Sequence, residues 1–530
     1  MTRRVVLAAA AIAFVNAVFI TPASQIIDDA FIFFRYADNF LAGHGLTWNV
    51  GGERVEGYTS FLYMLVVIAL RASKMDPILA ANAFNVTCFV VLVMSSVPLL
   101  RCVSKSRAAL VVGPILVAAH TYFAQLARGG MEQMLFLVLM ASSLLAFFRA
   151  EKRLAVLGSG ALFALAALTR PESMLDFVAC SAFAIWTTRD FKREAIRAAG
   201  LALVLVPQVL WRHSYYGDWL PNTYYAKVGV ETWAQFSRGL TACAFFFASS
   251  RGALVLLAVA TMLVAPKNKE RTFLAVLMAT WLAWILSLGL QDWNYYYSVP
   301  VDLLALVVLA SSLGDLLEAP QARSNLLLVA VALIAAGNTW LYVRGDGPRL
   351  ALLLVAIAVI VVLNRRPERG AAAIAAMSVV ASAWWQEPHQ RYDVMWNNVA
   401  IGQKLHEIAK PGDTLAIGAA GAIPYYSGLV TYDTLGLNDK HIARVPVKDP
   451  AHLGFGHERG DGAYILSKKP TFLLPTPLRS DVPGEAPWWR WVDQSFTEMF
   501  AMDEFKRDYH VEQVEMPGGG FFKYYVRNTR

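Results

Sequence analysis

Charge is scarce in this 530-residue chain: Asp, Glu, Lys and Arg make up 16% of it, against about 25% in an ordinary soluble protein. That scarcity excludes a cytosolic globular enzyme. A disordered chain is excluded as well, because 57% of the residues are hydrophobic and mean hydropathy is +0.44. Cysteine is sparse too. Cys88, Cys102, Cys180 and Cys243 lie in or beside apolar segments and form no CxxC pair. Neither a disulfide framework nor a thiolate metal site is available, and the thiols read as small buried apolar side chains. Gly418-Ala-Ala-Gly421 lacks both a GxGxxG pattern and a P-loop lysine, and reads as a structural turn. No small-residue cleavage site precedes Asp28, so the opening apolar run reads as an uncleaved first helix with its N-terminus in the cytoplasm.

What the chain has in quantity is apolar sequence. After the run ending at Ile27, others cover roughly 77–100, 108–127, 133–150, 154–169, 173–188, 197–213, 251–265, 272–290, 298–314, 324–341, 350–364 and 370–386. With the first, these predict a polytopic α-helical membrane protein of about 13 transmembrane helices. The net charge of +8 is unevenly spread. Residues 1–386 hold 31 Lys and Arg against 21 Asp and Glu, whereas 387–530 hold 16 against 18. We place a domain boundary at this break. Of the 31 basic residues, 19 fall in alternate loops, such as Arg101, Lys105 and Arg107, or Arg189, Lys192 and Arg193. This bias puts those loops in the cytoplasm of an inner-membrane protein. It also explains the basic pI without nucleic acid. Alternation survives only if the apolar segment Tyr58–Ala72 does not span. Residues 28–76 then form a large first external loop, in which Ala30–Leu41 reads as an amphipathic helix on the membrane surface. An odd number of spans leaves 387–530 outside. Its short apolar runs between Gly, Pro and Asp predict a compact soluble α/β domain in the periplasm.

Ionisable groups at membrane depth cost about 2.5–3.5 kcal/mol each on insertion scales, so they mark function. The external helix ends carry them: Asp28-Asp29, Arg128 to Glu132, Arg170-Pro-Glu172, Tyr215 through Asp218 to Lys227, and Asp292 with the rings that follow to Tyr297. The cytoplasmic loops hold little beyond Lys and Arg. Carboxylates serve as general bases or metal ligands, Arg and Lys suit a phosphate, and aromatic rings suit sugar faces. Transfer of a sugar from a lipid phosphate to an external acceptor requires this set. We therefore expect Asp28 and Asp29 to be catalytic, and Arg170, Lys227 and Arg128 to meet the donor phosphate. Asn222, Tyr224 and Tyr225 are expected to shape the pocket, with Glu132 and Asp292 as further candidates. His44 reads more readily as a loop residue than as a ligand. No spacing demands a metal, and none excludes a divalent cation.

The stretch from Asp28-Asp29 through Arg35, Tyr36, Asn39, Gly43-His44-Gly45 and Trp48-Asn49 to Glu56-Gly57-Tyr58-Thr59-Ser60 resembles the first external loop of GT-C glycosyltransferases. It is most similar to the arabinofuranosyltransferases that add terminal β-(1→2)-linked arabinose in actinobacterial cell walls. Related bacterial sequences carry a flagellar motor-control label. Gly130-Met-Glu132, Arg170-Pro-Glu172, Leu220 to Lys227 and Gly421 to Gly428 fit the same pattern. The resemblance implies a GT-C fold and a polyprenyl-phosphate donor, decaprenyl-phosphoryl-arabinofuranose. It also implies a catalytic acid at Asp28 or Asp29, and a pocket that includes Arg35, Tyr36, His44, Glu56, Tyr58 and Glu172. The acceptor stays open between arabinan, another surface glycan and a protein. Two rivals keep the fold and change the sugar, to mannose or to aminoarabinose. A lipid-sugar flippase would need a polar path to both faces, and a non-enzymatic membrane partner would need no acid pair.

Overall fold

The computed structural model describes residues 2–21, 26–228, 232–290, 296–318, 392–448, 456–475, 479–480, 492–516 and 519–529. The expected spans 324–341, 350–364 and 370–386, the proposed boundary at 387, and Asp292 lie outside the described residues.

The first part is helical: α1 (Thr2–Val15), α2 (Ala30–Leu41), α3 (Phe61–Ala72), α4 (Pro77–Val103), α5 (Ala109–Ala119), α6 (Thr121–Ala127), α7 (Gln133–Arg149), α8 (Arg153–Thr169), α9 (Met174–Thr188), α10 (Phe191–Tyr216), α11 (Asn222–Lys227), α12 (Thr232–Ala248), α13 (Ser250–Val264), α14 (Lys269–Leu288) and α15 (Val299–Leu317). Local chemistry sets the ends. Asp76 caps α4 by accepting the Leu79 N–H at 2.8 Å, and a proline opens that helix. α10 closes at Gly217, whose φ of +80° favours glycine. α8 and α10 meet backbone to backbone. A Cβ on Gly160 would lie 1.9 Å from the Arg197 carbonyl, and one on Gly200 would lie 1.9 Å from that of Leu157.

Four of the described helical segments are long and apolar enough to cross a membrane: Pro77–Val103, Phe191–Tyr216, Lys269–Leu288 and Tyr296–Leu317. Two bent pairs bring the number to six if each is one span. The bend of 53° between α5 and α6 falls at His120, which is extended and whose Nδ1 accepts the Phe123 N–H at 3.4 Å. This number covers the described residues alone, and three of the expected spans lie outside them. α7 and α8 are shorter apolar helices of 17 residues each, about 25 Å, at the lower end of the lengths that cross a bilayer.

The described residues between 392 and 529 build a mixed sheet of six strands: β1 (Thr414–Ile417), β2 (Val430–Asp433), β3 (Phe472–Leu474), β4 (Arg479–Ser480), β5 (Tyr509–Glu515) and β6 (Phe521–Arg527). β1 lies between β2 and β3 and is parallel to both, with Leu415 opposite Thr431 and Phe472. β6 runs antiparallel to β3, β4 and β5. Helix α16 (Tyr392–Ile408) and the short α17 (Ala422–Ser427) pack on this sheet through Ile401, Leu405 and Ile423.

α2 does not lie on a surface. Ala30 to Phe34, Tyr36 and Ala37 are all buried. One side of the helix meets Tyr58 and Tyr63, and Phe31 touches the rings of Tyr425 and Tyr426 at 5.6 Å. The helix is therefore a wedge between the bundle and the sheet region, which is why it is apolar on more than one face.

Candidate active site

A cavity of about 410 Å³ opens where α2, the loop before α3, the α6–α7 and α8–α9 turns, the end of α10, α11 and the end of α14 converge. It gathers seven residues singled out by the sequence: Asp29, Tyr58, Glu132, Arg170, Glu172, Tyr224 and Lys227. Arg212, Ser60, Thr59, Thr223, Trp284, Tyr296 and Tyr297 complete much of the wall.

The two adjacent aspartates have different surroundings. Asp29 faces the cavity, and among the described residues its carboxylate accepts no hydrogen bond. Asp28 is absent from the wall. Its Oδ2 accepts the Gly421 N–H at 2.9 Å, and its Oδ1 accepts the Ala422 N–H at 3.1 Å and the Asn398 Nδ2 at 3.2 Å. Burial pushes the Asp28 carboxyl above the usual range, and these three donors oppose the shift. The Gly418–Gly421 turn after β1 thus meets a carboxylate of its own chain.

The basic residues also separate. Arg170 is held by two acids, with 2.9 Å from Nη1 to Glu132 and 2.6 Å from Nε to Glu172. Its guanidinium also lies 4.7 Å from the ring centroid of Tyr297. Lys227 lines the same cavity, with no hydrogen bond or ion pair among the described residues. Arg128 lies outside the lining, and its buried Nε has no hydrogen-bond partner among the described residues. Among the described residues, two acceptor positions on the wall are likewise unmatched: Glu132 Oε2 and Ser60 Oγ are buried without a partner.

Several residues expected in the pocket instead tie the first loop and α11 to the sheet region. Arg35 donates to the carbonyls of Trp48, Pro424 and Leu429 at 2.9, 2.7 and 2.8 Å, and to Asn49 Oδ1 at 3.0 Å. The Tyr36 hydroxyl donates to the Val55 carbonyl at 2.7 Å and takes the Gly57 N–H at 3.1 Å. Asn222 donates to the carbonyls of Gly436 and Leu437 at 2.8 and 3.0 Å. Tyr225 lies under the Arg444 guanidinium at 4.1 Å. Glu56 is buried behind the wall and pairs with Arg212 at 2.6 Å. Burial pushes its carboxyl up to about 7 against the pull of that arginine. His44 is exposed, in a loop between two glycines of positive φ.

Sequence reasoning missed Arg212 and Ser60. A signal for Arg212 existed, since it is an arginine near the end of an otherwise apolar run, but its partner Glu56 lies 156 residues earlier. Ser60 stood at the end of the first-loop motif but was given no role in the pocket. Among the described residues, no group of three His, Cys, Asp or Glu side chains is placed to hold a metal ion.

A family model described as "Domain of unknown function (DUF8728)" matches residues 383–522. No curated protein matches the sequence. Among solved structures, the chain is similar to ArnT from Cupriavidus metallidurans bound to undecaprenyl phosphate. The TM-score is 0.55 at 13% identity, over 83% of this chain and 88% of that one. It is also similar to the Archaeoglobus fulgidus oligosaccharyltransferase in the apo form. There the TM-score is 0.52 at 12% identity, over 100% of this chain and 74% of that one. At such identities the likeness is one of fold. The chain is a membrane protein with the GT-C fold.

Proposed function

We propose that the protein is a membrane glycosyltransferase that moves a sugar from a polyprenyl phosphate to a hydroxyl of an extracytoplasmic glycan or protein. The observation that carries this reading is a carboxylate, Asp29, and an ammonium, Lys227, on the wall of one cavity, neither engaged by another side chain among the described residues. Its volume of about 410 Å³ suits a small polar ligand. In the transfer, the acceptor oxygen bonds to the anomeric carbon as that carbon's bond to the phosphate oxygen breaks. The electron pair of the broken bond leaves with the lipid phosphate, and Asp29 takes the hydroxyl proton. Lys227 meets the charge that develops on the phosphate. Arg170 is engaged by Glu132 and Glu172, so its part is to fix the two acids in the wall. Tyr58 and Tyr224 offer ring faces to the sugar.

The sugar we propose is D-arabinofuranose, carried as decaprenyl-phosphoryl-arabinofuranose. The likeness of the first external loop to arabinofuranosyltransferases supports it. The placement of Lys and Arg supports about 13 spans in the inner membrane with the N-terminus in the cytoplasm. Residues 1–386 are then the transmembrane catalytic domain, and 387–530 an extracytoplasmic domain. The test is purified protein with synthetic polyprenyl-phosphoryl-arabinofuranose, -mannose and -aminoarabinose and a panel of acceptors, read by mass spectrometry. Added pentose is expected. Transfer of hexose or aminopentose alone would replace the sugar, and transfer from none of the donors would end the enzymatic reading.

A further inference from the structure

We infer that Asp28 is a positioning residue, and that the region matched as a domain of unknown function serves the transfer reaction by holding it. The inference rests on the reading of Asp29 as the base. All three donors to the Asp28 carboxylate, the N–H groups of Gly421 and Ala422 and the side chain of Asn398, lie within residues 383–522. The fit leaves no room for a side chain. A Cβ on Gly421 would sit 2.3 Å from Asp28 Oδ2 and 2.1 Å from the Asp28 carbonyl oxygen. On the other flank, the Ile27 N–H donates to the Gly129 carbonyl at 3.0 Å, which ties the same short segment to the helical part. The Asp28 and Asp29 carbonyls then start α2 by accepting from Phe31 and Ile32 at 3.0 and 3.1 Å.

The backbone that carries Asp29 is thus gripped from three directions: by the bundle through Ile27, by the sheet region through Asp28, and by the first turn of α2. Asp29 itself is the member of the set left facing the cavity. General-base catalysis is sensitive to such placement, because an error of about 1 Å can cost about 100-fold in rate. A region that binds no substrate can therefore set the rate by where it holds one carboxylate.

The experiment compares wild type with Asp28→Asn, Gly421→Ala, their double variant and Asn398→Ala, in lipid nanodiscs with a polyprenyl-phosphoryl sugar that wild type accepts. Asp28→Asn and Gly421→Ala should each lower kcat about 100-fold while the donor KM changes less than about 3-fold. The double variant should fall no further than the worse single one, since both remove the same contact. Asn398→Ala keeps both backbone donors and should lower kcat about 3- to 10-fold. Hydrogen exchange at Gly421 and Ala422 should speed up in Asp28→Asn and stay slow in wild type. Wild-type kcat in Asp28→Asn, a change in KM alone, multiplying losses in the double variant, or unchanged exchange would each overturn the inference. A wild type that transfers no sugar, yet shows the exchange difference, would instead sink the transfer reading and leave the contact standing.

Discussion

The cavity and the seam behind it are built from the same residue types and differ in how many hydrogen-bonding positions are filled. In the seam, Asp28 has three donors, Arg35 has four acceptors, and the Asn222 amide reaches the carbonyls of Gly436 and Leu437. On the cavity wall, Asp29, Lys227, Glu132 Oε2 and Ser60 Oγ have no hydrogen-bond partner among the described residues. Burial of polar groups is common to both regions, so burial does not single out the site. Nor does a lone unmatched atom, since Trp48 Nε1 and Asn398 Oδ1 in the seam are also buried without a partner among the described residues; what sets the wall apart is that several unmatched groups, two of them ionisable and only half-buried, face one cavity.

Substitutions should therefore separate the two regions by what they damage. The largest effect is expected for Asp29→Asn, a loss of about 10²- to 10⁴-fold in kcat with thermal unfolding unchanged. A drop in Tm of the size seen for seam variants would break the comparison. Arg35→Met should act in the opposite sense. The Pro424 and Leu429 carbonyls lose the guanidinium donor, while the Trp48 carbonyl keeps Asn39 and Asn49 Oδ1 keeps the Thr431 N–H, and the cost is about 2–4 kcal/mol of stability, read as a lowered Tm in detergent. Lys227→Met should weaken kcat/KM for the donor by about 10- to 100-fold, the worth of one charged hydrogen bond, and leave Tm in place. Ser60→Ala is the smallest, at about 3-fold or less in donor KM, and it is informative through its sign. A tighter apparent fold with weaker donor binding would mark the hydroxyl as a ligand contact.

The sequence made the membrane class legible and drew attention to the acid pair, because apolar length and the place where an apolar run ends in charge are properties of contiguous segments. It could not separate Asp28 from Asp29. Neighbours on a turn point different ways, and the donors that claim Asp28 come from residues 370, 393 and 394 positions later. Arg35 and Tyr36 were expected in the pocket from the resemblance of the first loop, and Asn222 from its polar surroundings, and the same polar character suits a seam. Glu132, Arg170 and Glu172 were recognised by position, yet only the geometry shows one guanidinium held by both acids. Span length is less legible than span composition: α7 and α8 are apolar throughout yet only 17 residues long, since hydropathy scores composition before length.

The contact between Asp28 and Gly421 also has a history in the life of each molecule. The two residues are separated by 393 positions, which at about 5–20 residues per second is roughly 20–80 s of synthesis. Through that interval the acid pair exists without its clamp. A nascent chain therefore carries every cavity side chain up to Tyr297 well before it carries the means to aim them, and competence arrives late, with the folding of the last quarter of the polypeptide.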